Sequence, residues 1–287
     1  MNKVITLIFC LVFVIFTSCG DYNLVVKSTD YEYKYEAAKQ FYAEGQYNRA
    51  ATLMQDVIMA LKGTDKGEES LFMTGMSHLY ARNYEAATSY FRKYYETYPR
   101  GIFTEEARFY CGKALYENTP EPKLDQTATY EAVSEFQSFL ELYPESQLRE
   151  RAQNMIFALQ DKLVEKEYLS AKLYYDLGTY FGNCTTGGSN YQACIVTAQN
   201  AIKDYPYTTR REEFAILILK AKFELAENSV AAKKEERYHD AIDEYYGFTN
   251  EYPESKYMKT AQDLFMKAKK YVSTEDADAT EQSQPSK

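Results

Sequence analysis

Few residues in this chain are placed to do chemistry. Its two histidines, His78 and His239, each stand alone in a helical stretch, with no second ligand at the spacing that would hold a metal ion. The cysteines are Cys10, Cys19, Cys111, Cys184 and Cys194, and none forms a Cys-x-x-Cys pair. Neither a His-Glu-x-x-His sequence nor a Gly-rich phosphate loop occurs. Cys184 and Cys194 flank a Gly-containing turn and could bridge in an oxidising compartment. The plainer reading makes Cys111 and Cys194 small core residues. No acid, base or nucleophile constellation stands out from the charged helix surfaces, so the expectation is a protein that is no enzyme and needs no cofactor and no metal. A net charge of −9 argues against a nucleic-acid partner, which calls for a basic face.

What remains is binding, and the surface for it must be built by secondary structure. The 287 residues suffice for one or two domains with a sizeable core, and 12 Gly and 7 Pro are few. Ala, Glu, Lys, Leu and Tyr are abundant, which favours helix over sheet. The 29 Tyr and 16 Phe, with no Trp, supply rings whose apolar bodies pack inside while the Tyr hydroxyls stay near water.

One phrase is written four times: ETYPRGIFTEEA from Glu96, ELYPESQLRERA from Glu141, KDYPYTTRREEFA from Lys203 and NEYPESKYMKTA from Asn250. Proline disfavours α geometry in the residue before it, so Tyr98, Tyr143, Tyr205 and Tyr252 each close a helix. A hydroxyl two residues after the proline, at Ser146, Thr208 and Ser255, is placed to cap the next helix. Ala107, Ala152, Ala215 and Ala261 then allow two helices to approach closely. Upstream, Tyr84-Ala87-Phe91-Pro99, Ala132-Phe136-Pro144 and Ala241-Tyr245-Pro253 keep common intervals.

Small, small, aromatic, proline at these offsets is how a tetratricopeptide repeat of about 34 residues is written. A lone helix pair cannot bury its apolar face, so neighbours stack. The expected fold is all-α, a right-handed superhelical solenoid of about five such pairs plus a C-terminal helix. In such repeats the first helix of each pair lines the concave side. That places Tyr35, Lys39 and Tyr42, then Phe72, Met76 and Tyr80, then Phe109, Lys113 and Tyr116 in a groove of rings with two lysines. The same aromatics also suit ordinary packing between helices.

Surplus between repeats falls in residues 118–127, 183–190 and 228–237, all loop-like or polar. Residues 146–178 read as one helix of about 50 Å, or as two end to end. The boundaries are a signal at 1–18, a tether at 19–30, the repeat domain at 31–272 and a polar, disordered tail at 273–287.

The N-terminus reads as an address. MNKVITLIFCLVFVIFTSC has one lysine, then an apolar run from Val4 to Phe16, shorter than the about 20 residues a spanning helix needs. The small pair Thr17-Ser18 before Cys19 resembles a bacterial lipoprotein box, with Phe16 in place of the usual Leu and Ser18 in place of Gly or Ala. The resemblance implies cleavage before Cys19 and acylation of that residue, palmitate included, so that the chain is held at a membrane by its N-terminal lipid. No acidic residue follows at Gly20, which points to the outer membrane, facing the periplasm. Roughly 11 residues of leash would reach at most about 35–40 Å.

From Cys19 to about Ala226 the chain resembles the BamD/ComL family of outer-membrane assembly lipoproteins. The most specific parts are YPESQLRERA, DKLVEKEYLSAKLYYDLG and KDYPYTT in that order, with Glu167, Tyr174 and Tyr175 matching the family's wording. The resemblance implies a scaffold that binds the periplasmic domains of the β-barrel insertase, works beside other assembly-machinery lipoproteins and helps receive unfolded outer-membrane proteins. Substrate recognition would fall to the N-terminal repeats and insertase contact to the C-terminal ones, where Arg210 and Arg211 are the candidate contacts. Two further readings are a pilotin-like repeat lipoprotein for secretin assembly and a lipid-anchored glycan-binding protein.

Overall fold

The computed structural model describes residues 22–180 and 189–282, with side chains through Val272. Cys19 and Cys184 therefore lie outside the described residues. All regular structure among those residues is helical: α1 (22–27), α2 (Tyr31–Ala43), α3 (Tyr47–Ala60), α4 (Asp65–Tyr80), α5 (Tyr84–Thr97), α6 (Thr104–Glu117), α7 (Thr127–Leu142), α8 (Arg149–Leu177), α9 (Asn190–Asp204), α10 (Arg211–Glu227), α11 (Ala231–Glu251) and α12 (Met258–Gln282). The chain divides into two compact units, Met1–Pro120 with Asp125–Leu159, and Glu121–Leu124 with Gln160–Lys287.

The four Tyr-Pro joints fold alike because the proline leaves the residue before it little choice. Tyr98, Tyr143, Tyr205 and Tyr252 end α5, α7, α9 and α11 with φ between −123° and −128° and ψ between 63° and 69°. The hydroxyls brace the turn before the next helix, one residue short of capping its first turn, and α10 has no side-chain cap on its N-terminus. Ser146 accepts from the Leu148 N–H at 3.0 Å, Ser255 from the Tyr257 N–H at 2.9 Å and Thr208 from the Arg210 N–H at 3.2 Å. Ser146 and Ser255 also donate to Glu105 and Glu212, each in the first turn of an earlier helix. The first joint reaches the same end differently, with Glu68 accepting from the Tyr94 hydroxyl and from the Ile102 N–H.

In the first unit, consecutive helices from α2 to α7 pack in pairs around an aromatic core. Phe91, Tyr94, Phe109, Phe136 and Phe139 are all fully buried in it. Two glycines make room. A Cβ on Gly75 would stand 2.7 Å from the Phe91 ring, and one on Gly112 would stand 2.8 Å from the Phe136 ring. In α3 the apolar residues at helical spacing form one stripe: Ala50, Leu53, Met54 and Val57 are buried, and Ile58 and Leu61 partly so.

Residues 22–27, to which the sequence gives no helical period, are helical and packed. Val25 of α1 is 3% exposed against Ala38, Leu53, Met54 and Val57. Tyr22 meets Phe41 edge-on at 5.5 Å, under the Arg49 guanidinium. The apolar Val25-Val26 pair docks α1 on the first repeat.

In the second unit, α10 is buried nearly all round, as its unbroken apolar run Phe214–Leu219 requires. Phe214, Leu217, Ile218 and Ala221 pack with Val164 and Ala171 of α8 and with Cys194 and Ala198 of α9. Ala215, Ile216 and Leu219 turn to the other side, toward Phe248 of α11 and Ala261 of α12.

Two boundaries differ from the sequence reading. Residues 228–237 look polar and loop-like, yet α11 begins at Ala231, because Tyr238 is pulled into a core with Phe223, Ala241 and Ala268. At the C-terminus, α12 runs on through Gln282, past the boundary drawn at 272. Residues 149–177 form a single helix.

Candidate functional site

The nine groove positions lie on α2, α4 and α6 of the first unit, where the structure sorts them by depth. Phe109 is fully buried, its ring edge-on to Phe136 and Phe139. Phe72 stacks on Phe103 at 4.6 Å and touches Phe91, Tyr94 and Tyr110, and Met76 is 7% exposed. These three hold helices together. Lys113 and Tyr116 on α6 are half-buried at the edge of the same core.

At the first repeat the arrangement is polar. The Tyr35 ring is buried, and its hydroxyl donates to Glu69. Lys39 donates to the other Glu69 oxygen at 2.9 Å and to the Tyr35 oxygen at 3.2 Å, and the Lys66 ammonium sits 5.2 Å from the Tyr35 ring centre. Burial pulls the Glu69 carboxyl upward, but the hydrogen bonds from Tyr35 and Lys39 outweigh it and hold the group below the usual carboxylate range. The hydrogen bond to Glu69 likewise holds Lys39 above the ordinary lysine range. The patch therefore stays charged at neutral pH and fixes Lys39 in place.

Next to it lies a tyrosine cluster. Tyr47 stacks on Tyr80 with centroids 5.0 Å apart, and Tyr42 meets both edge-on at 5.5 and 6.1 Å. Tyr80 is 49% exposed. Burial, then the neighbouring Tyr80 and Tyr47, push the Tyr42 hydroxyl up, so it remains a neutral donor. Sequence reasoning missed Tyr47 and Glu69 as members of this surface. Tyr47 begins the second helix of its pair and reads as packing, and Glu69 lies one turn before Phe72 with nothing to distinguish it from other helical glutamates. The exposed part of the nine-residue groove thus reduces to Lys39, Tyr42, Tyr80 and the edge at Lys113 and Tyr116.

The second-unit candidates are occupied. Arg210 pairs with Glu165 and, at 2.7 Å, with Glu213, and lies over the Tyr168 ring at 4.8 Å. Arg211 pairs with Glu251 at 2.8 Å. Both tie α10 to its neighbours while remaining about one-third exposed, at 33% and 39%.

Cys194 is a buried free thiol in the α8–α10 core, and Cys111 is buried in the first unit. Burial pushes each up to about 12, so neither is reactive at neutral pH. The pairing of Cys194 with Cys184 rests on a residue outside the described ones. Among the described residues no cluster of His, Cys, Asp or Glu could hold a metal ion, and no helix is long and apolar enough to cross a membrane.

Residues 28–183, more than half of the chain, match the YfiO family, described as outer membrane lipoproteins. The chain belongs to that family. The match takes in the EYLSAKLYY stretch and stops short of the KDYPYTT joint, so it is narrower than the likeness read from the motifs. A curated relative, the outer membrane protein assembly factor BamD of Caulobacter vibrioides, is 22% identical over 156 residues, which are 54% of this chain and 51% of the relative. The chain thus spans about half the length of the curated relative it matches. A solved structure of a Podosopora anserina putative kinesin light chain with nearly identical TPR-like repeats is 13% identical. The likeness covers 77% of this chain and 95% of that one, at a TM-score of 0.32. The fold assignment rests instead on the helix pairs and joints of this outer membrane lipoprotein itself.

Proposed function

We propose that this lipoprotein is a non-catalytic scaffold of the β-barrel assembly machinery, anchored by acylated Cys19 to the outer membrane and facing the periplasm. It would bind the insertase's periplasmic domains and, with partner lipoproteins, help receive unfolded outer-membrane proteins. The observation that carries the reading is the family match over residues 28–183, and the apolar run Val4 to Phe16 ahead of Thr17-Ser18-Cys19, which reads as an export signal, supports the anchor. The relative named for outer membrane protein assembly supports the process. The half-exposed Tyr80, with Tyr42 and Tyr47 beside it, and the fixed Lys39 suit a chain terminus bearing an aromatic ring and a free carboxylate.

Pulldown of the full-length protein from solubilised outer membranes, followed by mass spectrometry, tests the reading. Recovery of a barrel insertase supports it, and recovery of a secretin in its place would overturn it. Reversing the charge of Arg210 and Arg211 together should lower insertase recovery. Unchanged recovery would remove these two residues from the contact surface.

A further inference from the structure

The second unit carries a groove that none of these roles uses. The short segment Glu121–Leu124 lies against the outer face of α8, and between them opens a cleft of about 420 Å³. Its floor is Pro122, Leu169 and Leu173, and its rim is Lys123, Lys166 and Lys172 with the single acid Asp176.

Lys166, Leu169, Ser170 and Leu173 are spaced three, four and seven apart, so they form one stripe of α8 over about 10 Å. Helices bury such stripes, yet Leu173 is 59% exposed. One exposed leucine would mean little. Two leucines and a proline lining one concavity, within the size range of ligand clefts, are a different matter.

The rim says what the cleft takes. Lys172 is neutralised by Asp176 at 2.7 Å, whereas Lys123 and Lys166 make no ion pair among the described residues. In a chain of net charge −9, a cleft with three lysines against one carboxylate is a local reversal of sign. Lysine stems can lie along an apolar floor while their ammonium groups face outward, so the site matches apolar side chains flanked by carboxylates.

We propose that this groove docks an acidic, leucine-bearing polypeptide segment of a partner protein. A polypeptide is favoured over a fatty acid because the cleft is open along the helix instead of sleeved, and because its cations are spread along the rim. A lone headgroup needs one such site, whereas several carboxylates need several. The inference goes beyond the assembly reading and does not depend on it.

The test is fluorescence anisotropy with the full-length protein and a labelled octapeptide of alternating leucine pairs and glutamate pairs, at low ionic strength. Saturable binding is expected. It should weaken at least about tenfold with Lys123→Glu plus Lys166→Glu, with Leu173→Asp, and with a peptide carrying glutamine for glutamate. Lys267→Glu, on α12, should bind as the parent does, and circular dichroism confirms that each variant is folded. Absence of saturable binding, or equal affinity in the charge-reversed protein, overturns the proposal. So does tight binding of oleate that the octapeptide fails to displace, which would reassign the cleft to lipid. The titration needs no insertase, so its failure would leave the assembly role standing, and failed copurification would leave the groove standing.

Discussion

Phe91, Phe136 and Tyr245 hold the same place in the written repeat, eight residues before the proline of a joint, yet the two units treat them differently. In the first unit, Phe91 and Phe136 are fully buried, each against a glycine of an earlier helix. In the second unit, Tyr245 is only half-buried, beside a core built on Leu219, Phe248 and Ala261, and it stacks on Phe265 at 4.3 Å. The depth of the ring is therefore set by what faces it. Glycine lets the ring sink between helices, and Tyr245, which stacks on Phe265, stays near the surface, where Tyr246 is also 55% exposed.

Truncating the rings gives the largest contrast. Phe136→Ala should cost about 3–5 kcal/mol, because it opens a cavity in a filled core. Tyr245→Ala should cost about 1–2 kcal/mol, the share of a half-buried ring. Denaturant melts of the two variants measure the gap, and equal losses would break the comparison.

Glycines sharpen it from the other side. Gly112→Ala should destabilise by about 1–3 kcal/mol, since its new methyl meets the buried Phe136 ring. Gly247, in α11, has nothing within 4 Å of an added Cβ, so Gly247→Ala should stabilise by about 0.5–1 kcal/mol. Opposite shifts in thermal midpoint are the readout.

The joints should behave alike in both units. Ser146→Ala and Ser255→Ala each remove a hydrogen bond within the turn and a bond to a glutamate of an earlier helix, and each should cost about 1 kcal/mol. A neutral result at one joint would mean that the proline geometry alone holds it.

The smallest effect is a pH dependence carried by His78 of the first unit. His78 stacks on Tyr90 with both ring nitrogens buried and unpartnered, and burial lowers its pKa. The unfolded chain therefore binds the proton first, and stability falls as pH drops below about 6.5. His239, in the second unit, is exposed. A melt series from neutral to mildly acidic pH should show a slope that His78→Phe flattens.

The joints were the most legible part of the sequence, because Tyr-Pro fixes backbone angles locally, although the Ser and Thr hydroxyls bond within the turn and do not cap the helix that follows. The core stripe of α3 and the single helix α8 were legible for the same reason, as periodicity without proline. What escaped was set by tertiary contact. Val25 gives α1 no periodic signal and is ordered only by docking on the first repeat. Tyr238 makes a polar stretch helical by entering a distant core. Among the groove residues, spacing identified the correct helices but could not separate Phe109, fully buried, from Tyr80, half exposed, since both are aromatic on the same kind of face. The α8 groove was invisible because it needs a loop that is distant in sequence from the helix it covers.

Depletion of the protein in its host, followed by quantification of folded β-barrels in the outer membrane, tests the central claim most directly. The account predicts that folded barrels fall while their unfolded precursors accumulate in the periplasm. Undiminished folded barrels after complete depletion would contradict it.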